Sequence, residues 1–244
     1  MSKLLAHLSQ TDIYKFRKAL IDWGSDHFRP FPWRSTEDPY KILVAEVMLH
    51  RTQVSQVVPI YLQFLERFPD PMALKASRMS ELRRILYSLG LRWRIELIHK
   101  MGVDLVKRFG GRIPTEKEEL KNLPGVSDYI ANAVRCFAWN LPEVLLDTNT
   151  VRIVARIFGL RVRASSRRSK EFRDLLGALL DPKQPRAFNY ALLDLADAVC
   201  TLKQPPATEI CPLSQWCMYT TGKIPRLANA DPGHVIDAQL RVTR

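Results

Sequence analysis

The chain has 244 residues, 46% hydrophobic and 25% charged, which suits a soluble globule large enough for one big domain or two lobes. Lys and Arg number 37 against 25 Asp and Glu, a formal net charge of +12, which favours a polyanionic partner, nucleic acid foremost, over a merely soluble basic protein. No apolar run approaches the ~20 residues of a membrane span, four Cys do not make a disulfide scaffold, and no secretory signal is visible, so an intracellular protein with no membrane partner is expected, cytoplasmic and nucleoid-associated if prokaryotic.

Helical periodicity dominates from the start. "TDIYKFRKALIDWG" opens on Thr11 as an N-cap candidate, keeps Ile13, Phe16, Leu20 and Trp23 on one face, and reads as stopping at Gly24. "FRPFPWRSTEDPY" reads as an extended connector, because its prolines oppose helix. "KILVAEVMLHRTQVSQVVPIYLQFLERFP" reads as two helices parted between Thr52 and Pro59. "MSELRRILYSLGL" and "RWRIELIHKMGVDLVKRFGG" are amphipathic helices stopped by Gly. "TEKEELKNLPG" has Thr115 and Glu118 at capping-box spacing. Further helices are predicted over 128–139, 148–158, 170–180 and 186–200. No period-2 strand, internal repeat or low-complexity tract appears, so the fold class is all-α. The tail after Thr201 is rich in Pro and polar residues and reads as a loop-rich cap.

Between Leu120 and Asn140 the chain breaks at Leu123-Pro124-Gly125-Val126-Ser127 and restarts as helix. Pro124 ends one helix and Gly125 permits a tight turn. The first N–H groups of the next helix lack intrahelical partners and carry the positive end of its dipole, so they can take a phosphodiester oxygen. An ordinary helix–turn–helix bend reads the same way from the turn alone.

The surroundings decide between the two. The stretch resembles the helix-hairpin-helix of the endonuclease III superfamily of DNA glycosylases, usually Leu-Pro-Gly-Val-Gly. Some twenty residues later that family has an apolar pair, an Asp and an Asn, here Leu145, Leu146, Asp147 and Asn149. "PFPWRSTEDPYKILVAEVMLHRTQVSQVVPIYLQFLERFP" is similar to the opening of the branch that handles mismatches, and "FNYALLDLADAVCTLKQP" to the segment before its iron–sulfur loop. The resemblance runs in order from about Asp22 to Tyr219. One departure is Ser127 at the second hairpin Gly, which bears on phosphate affinity rather than chemistry.

The resemblance implies a two-lobed helix-hairpin-helix glycosylase fold with DNA in a cleft between the lobes. One lobe, a six-helix barrel-type lobe with the hairpin, is expected over 38–144. The other combines 1–37 with 145–244 and carries the Cys loop. The implied partner is double-stranded DNA containing a mismatched or modified base, bound by a monomer.

Asp147 precedes a helix after "VLL", so it is an N-cap in any reading. The resemblance adds a second role. A carboxylate fixed beside C1′ stabilises the positive charge that builds on deoxyribose as the base leaves, and helps activate water. Glu46, in the apolar "ILVAEVML", must be protonated, paired or facing a cavity. Pairing with Arg51 is one reading; reaching the extruded base is the reading the resemblance implies. Tyr129 stands where lyase-type members carry Lys. A phenol cannot form their imine, which implies a monofunctional, water-using glycosylase with Tyr129 against the flipped base. Tyr here resembles thymine-mismatch members; adenine-mismatch members more often carry Ser. Leu123, Gly125 and Ser127 are the expected hairpin contacts with DNA. Arg51 and Leu91 are expected as wedges, Gln53 near the orphaned partner base, and Arg92 beside them; ordinary surface placement is the alternative for each.

Family members with an iron–sulfur loop space it C-x6-C-x2-C-x5-C. Cys200, Cys211 and Cys217 match three places, while Ala207 and Thr208 stand at the fourth and the loop is one residue longer. A [4Fe–4S] cluster with a non-Cys ligand such as Glu209, another metal such as zinc, or three spare thiols all remain open. The expected activity is removal of thymine or uracil opposite guanine in base excision repair. The alternatives are removal of adenine opposite guanine or 8-oxoguanine, and lesion binding without cleavage.

Overall fold

A computed structural model describes residues 8–90, 92–202 and 207–221. These residues form helices and short 3-10 turns and contain no strand. Among them no helix is long and apolar enough to cross a membrane. The chain contacts cluster into two compact units, 1–29 with 142–244, and 30–141.

The discontinuous unit is built on α1 (Gln10–Asp26), α9 (Thr148–Phe158), α10 (Lys170–Leu179) and α11 (Pro185–Ala198). Helix α1 is capped two residues before the predicted Thr11. Ser9 Oγ accepts from Asp12 N, and Asp12 Oδ2 reaches back to Ser9 N at 3.0 Å, so this reciprocal pair caps the helix and Thr11 lies inside it. Gly24 does not stop α1 either. It is buried against α11, where an added Cβ would stand 2.3 Å from that of Ala191. The glycine allows two helices to touch backbone to backbone, and any larger residue would force them apart. Phe16, Leu20, Val154, Leu175, Phe188 and Leu195 fill the core beneath, each fully buried. Each such side chain contributes roughly 1.5–3 kcal/mol by leaving water.

The continuous unit holds α2 (Pro39–Leu49), α3 (Val54–Arg67), α4 (Pro71–Lys75), α5 (Met79–Leu86), α6 (Arg92–Phe109), α7 (Lys117–Lys121) and α8 (Asp128–Trp139). Its entry is not fully extended, since Pro32–Arg34 forms a 3-10 turn and α2 begins at Pro39. Asp38 caps α2 by accepting from Tyr40 N and Lys41 N at 2.9 and 3.3 Å, and proline fits the first turn because its missing N–H is not needed there. The predicted break reaching to Pro59 closes earlier, at the 50–53 turn. Pro59 sits inside α3, on its exposed side together with Ser55, the residue one turn before it. The predicted capping box at Thr115 does not form. The Glu118 carboxylate bonds to Lys121 instead, at 3.0 and 3.1 Å, and the short helix α7 is led by Glu116 without a side-chain cap. Helix α2 is buried from Tyr40 to Met48 apart from the half-buried Lys41, and packs on α8.

Candidate active site

Asp147 is the N-cap of α9. Its Oδ1 accepts from the backbone of Asn149 at 2.9 Å and of Thr150 at 2.8 Å, and from the Thr150 hydroxyl at 3.1 Å. The Thr150 hydroxyl also receives Asp147 N at 2.9 Å, completing a reciprocal cap. Oδ2 accepts from Asn149 Nδ2 at 3.0 Å and has lone-pair capacity left. The half-buried carboxylate is thereby fixed in orientation with one oxygen available for chemistry.

Two residues behind it were not singled out for these roles in the sequence. Arg152 Nη1 donates to Asn149 Oδ1 at 3.1 Å, which fixes the amide so that its Nδ2 faces Asp147. The same buried guanidinium donates to Cys200 O at 2.8 Å and Ala196 O at 2.9 Å. Burial pushes the Arg152 pKa down, and the Cys200 and Asp147 charges oppose that shift. The available signal was two arginines four apart, Arg152 and Arg156, in the otherwise apolar run from Val151 to Phe158. Both are buried.

Arg156 Nη1 donates to Cys200 Sγ at 3.2 Å and Thr201 O at 2.8 Å, and its guanidinium lies over the Tyr219 ring. Met218 N and Tyr219 N donate to Ile157 O and Arg156 O at 3.0 and 3.1 Å, tying the loop to the end of α9. Burial raises the Cys211 thiol to about 11 and moves Cys217 upward, with Cys200 adding to both. The three thiols therefore feel one another's charge. They do not fit a four-thiolate cluster. Ala207 and Thr208 supply no fourth sulfur, and among the described residues no three His, Cys, Asp or Glu side chains are arranged to hold a metal.

The continuous unit carries the remaining residues. Glu46 is 7% exposed on α2, and Tyr129 is half-buried in the first turn of α8, the helix on which α2 packs. Gly125 has φ 83°, and a Cβ there would press on Leu97 at 3.3 Å, so the hairpin turn selects glycine on two grounds. Ser127 takes the place of a second glycine at no backbone cost, since its φ of −85° suits any residue. Its hydroxyl accepts from Ile130 N at 3.3 Å and caps α8. Leu123 is buried, so it supports the turn from within and offers only backbone outward. Beside the turn, Lys117 and Lys121 approach Asp128 at 3.1 and 4.0 Å.

Arg51 and Gln53 are exposed in the 50–53 turn. Arg92, also exposed, donates to the Tyr87 hydroxyl at 2.7 Å and lies over that ring. The rings of Trp93 and His50 meet edge to face at 6.4 Å, and Tyr87 and Trp93 are themselves exposed aromatics. This face therefore combines cations and flat rings, the surface chemistry that stacks bases and contacts phosphates. Leu91 lies outside the described residues.

A family model for the HhH-GPD superfamily base excision DNA repair protein matches residues 44–177. The thymine/uracil-DNA glycosylase of Pyrobaculum aerophilum is 40% identical over 210 residues, covering 83% of this chain and 90% of that protein. The thymine-DNA glycosylase of Aeropyrum pernix is 39% identical over 217 residues, 87% of this chain and 97% of that one. Among solved structures, a thermostable thymine-DNA glycosylase superposes with a TM-score of 0.79 at 29% identity, over 86% of this chain and 97% of that chain.

Proposed function

From the premise that this chain belongs to the HhH-GPD superfamily of base excision DNA repair proteins, we propose that it is a monofunctional DNA glycosylase removing thymine or uracil opposite guanine. The observation that carries the reading is the Asp147 carboxylate, oriented by four hydrogen bonds yet keeping Oδ2 available. The relatives that share most of this chain's length and act on thymine or uracil support the choice of base.

In this reading the mismatched nucleotide leaves the stack, at a cost of a few kcal/mol that is least for a mispaired base. The bond between the base nitrogen and C1′ breaks with its electron pair on the base. Asp147 Oδ2 faces the positive charge that develops on the sugar. Water adds its oxygen to C1′, its proton passes to the carboxylate, and an abasic site remains. Glu46 approaches the departing base and can supply a proton to it. Tyr129 bounds the base and, lacking an amine, forms no imine with C1′. The backbone at Gly125 and Ser127 takes a phosphodiester, with Lys117 and Lys121 offsetting the charge of Asp128. Arg51 enters the gap in the duplex, with Gln53 and Arg92 beside it.

The Cys loop enters as support for α9 and Arg152, and no chemical step runs through it. A [4Fe–4S] cluster there would need a ligand besides Cys200, Cys211 and Cys217, and iron and sulfide analysis of anaerobically purified protein tests for one.

The deciding experiment is a panel of duplexes carrying T·G, U·G, A·G, A·8-oxoguanine or methylated bases, incubated with the protein and then treated with alkali. Alkali-dependent cleavage at T·G or U·G is expected. Cleavage at adenine alone would move the protein to the adenine branch, and binding without cleavage anywhere would make it a lesion-recognition protein.

A further inference from the structure

Among the described residues, Arg51 and Asn140 are the non-glycine residues with positive φ. Asn140 ends α8 in the left-handed conformation that asparagine often takes after a helix. Arg51 has no such excuse. It is the third residue of a turn closed by Thr52 N donating to Leu49 O at 3.1 Å. His50 before it has φ −59° and ψ 108°, and Arg51 itself has φ 60°. That is the type II pattern, whose third position selects Gly or Asn because a larger side chain crowds the backbone. An arginine there stands against its own backbone preference, so the surroundings must hold it.

The holder is Arg94, in the first turn of α6 and 3% exposed. Its guanidinium donates to Met48 O at 2.6 Å, to Thr52 Oγ1 at 3.1 Å, and to His50 O. These acceptors bracket Arg51 on both sides. The His50 carbonyl belongs to the peptide that flips between type I and type II turns, and a charged donor fastened to it selects the flipped form. Glycine at 51 would reach the same backbone without strain but would present no side chain, whereas the Arg51 side chain is exposed.

We infer that Arg94 is a positioning residue for base extrusion, whose buried guanidinium clamps the Leu49–Thr52 turn and so presents Arg51, already ordered, to the gap left by a displaced nucleotide. This rests on the glycosylase reading. Ordering the wedge before DNA arrives removes an entropy cost from the extrusion step.

The test is a mutant cycle in the full chain: Arg94→Lys, Arg51→Ala and the double variant. Each is assayed on a T·G duplex with 2-aminopurine beside the target thymine. Arg94→Lys keeps the charge but loses the forked donor, and Thr52→Val removes one acceptor as a milder control of the same contact. Arg94→Lys and Arg51→Ala should each lower the single-turnover rate and the 2-aminopurine signal about tenfold. The double variant should be no slower than Arg51→Ala alone. Thr52→Val should move the rate the same way by a smaller factor. Hydrogen exchange at residues 50–52 should quicken in Arg94→Lys and slow again in Arg94→Lys/Arg51→Gly, because glycine forms the turn unaided. Effects that multiply in the double variant, or normal exchange in Arg94→Lys, would overturn the inference alone. A wild-type protein releasing no base from any duplex would overturn the glycosylase reading beneath it.

Discussion

Asn149 Nδ2 lies 3.0 Å from Asp147 Oδ2, while the other carboxylate oxygen is engaged by two backbone N–H groups and a hydroxyl. One oxygen holds the helix, and the other is steered by a single side chain. The cap and the proposed chemistry thus divide one carboxylate between them.

Asp147→Asn keeps the size and much of the capping geometry but removes the negative charge. Base release from a mismatched duplex should fall by several orders of magnitude, the range expected when the main electrostatic stabiliser is lost. Affinity for the same duplex, read by a gel-shift titration, should hold within a few fold. Undiminished turnover would remove Asp147 from the chemistry.

Asn149→Ala releases Oδ2, and Arg152→Gln releases the Asn149 amide that aims at it. Both should cost roughly 10²-fold in single-turnover rate through misplacement alone. Arg152→Gln should in addition lower the melting temperature, because it strips a donor from the carbonyls of Ala196 and Cys200. Asn149 is half-buried and carries less of the fold. A rate loss without a thermal shift in Asn149→Ala, measured by calorimetry beside the kinetics, is the expected signature.

Wild-type protein mixed with substrate duplex and borohydride should leave no covalent complex, since Tyr129 offers no amine. Tyr129→Lys should give a trapped band on a denaturing gel and alkali-independent nicking. Trapping in the wild type would contradict the water mechanism.

Affinity should fall steeply with salt, with a log–log slope of about −0.9 per phosphate neutralised. Lys117→Ala and Lys121→Ala together should flatten that slope, by up to about two phosphates' worth, if both lysines beside the hairpin meet the backbone. Fluorescence anisotropy across a salt series measures both slopes, and a flat wild-type response would contradict the DNA reading.

Thr208→Cys restores the spacing of a four-thiolate loop at its C-terminal end. Anaerobically purified Thr208→Cys should bind more iron and acid-labile sulfide than the wild type, by colorimetric analysis. Equal and full occupancy in both would mean that a residue other than cysteine completes a cluster in the wild type.

Much of this was legible in the sequence because local chemistry and tertiary demand coincide. The hairpin could be read from Pro124 and Gly125, α8 and α9 occupy the predicted 128–139 and 148–158, and Asp147 is the N-cap its place before a helix predicts. What misled was a residue serving a distant neighbour. Gly24 reads as a helix stop, yet its missing side chain is needed by Ala191 far along the chain. Pro59 reads as a breaker, yet it lies inside α3 on the helix's exposed side. The sequence assigns no role to Arg94 or Arg152. Their acceptors, Met48 O, His50 O, Ala196 O and Cys200 O, are main-chain atoms brought near by the fold, and no spacing rule points to them.

The docking of α1 on α10 and α11 also sets a timetable for biosynthesis. Arg17 hydrogen-bonds to the carbonyls of Ala178 and Leu179, 161 and 162 residues further on. At a ribosome adding ~5–20 residues per second, α1 therefore waits roughly ten to thirty seconds for its mate. The contiguous 30–141 segment needs no such delay and can complete itself meanwhile. An amphipathic helix is left showing its greasy side during that interval, which makes the nascent amino-terminal segment the part of this chain most in need of a chaperone.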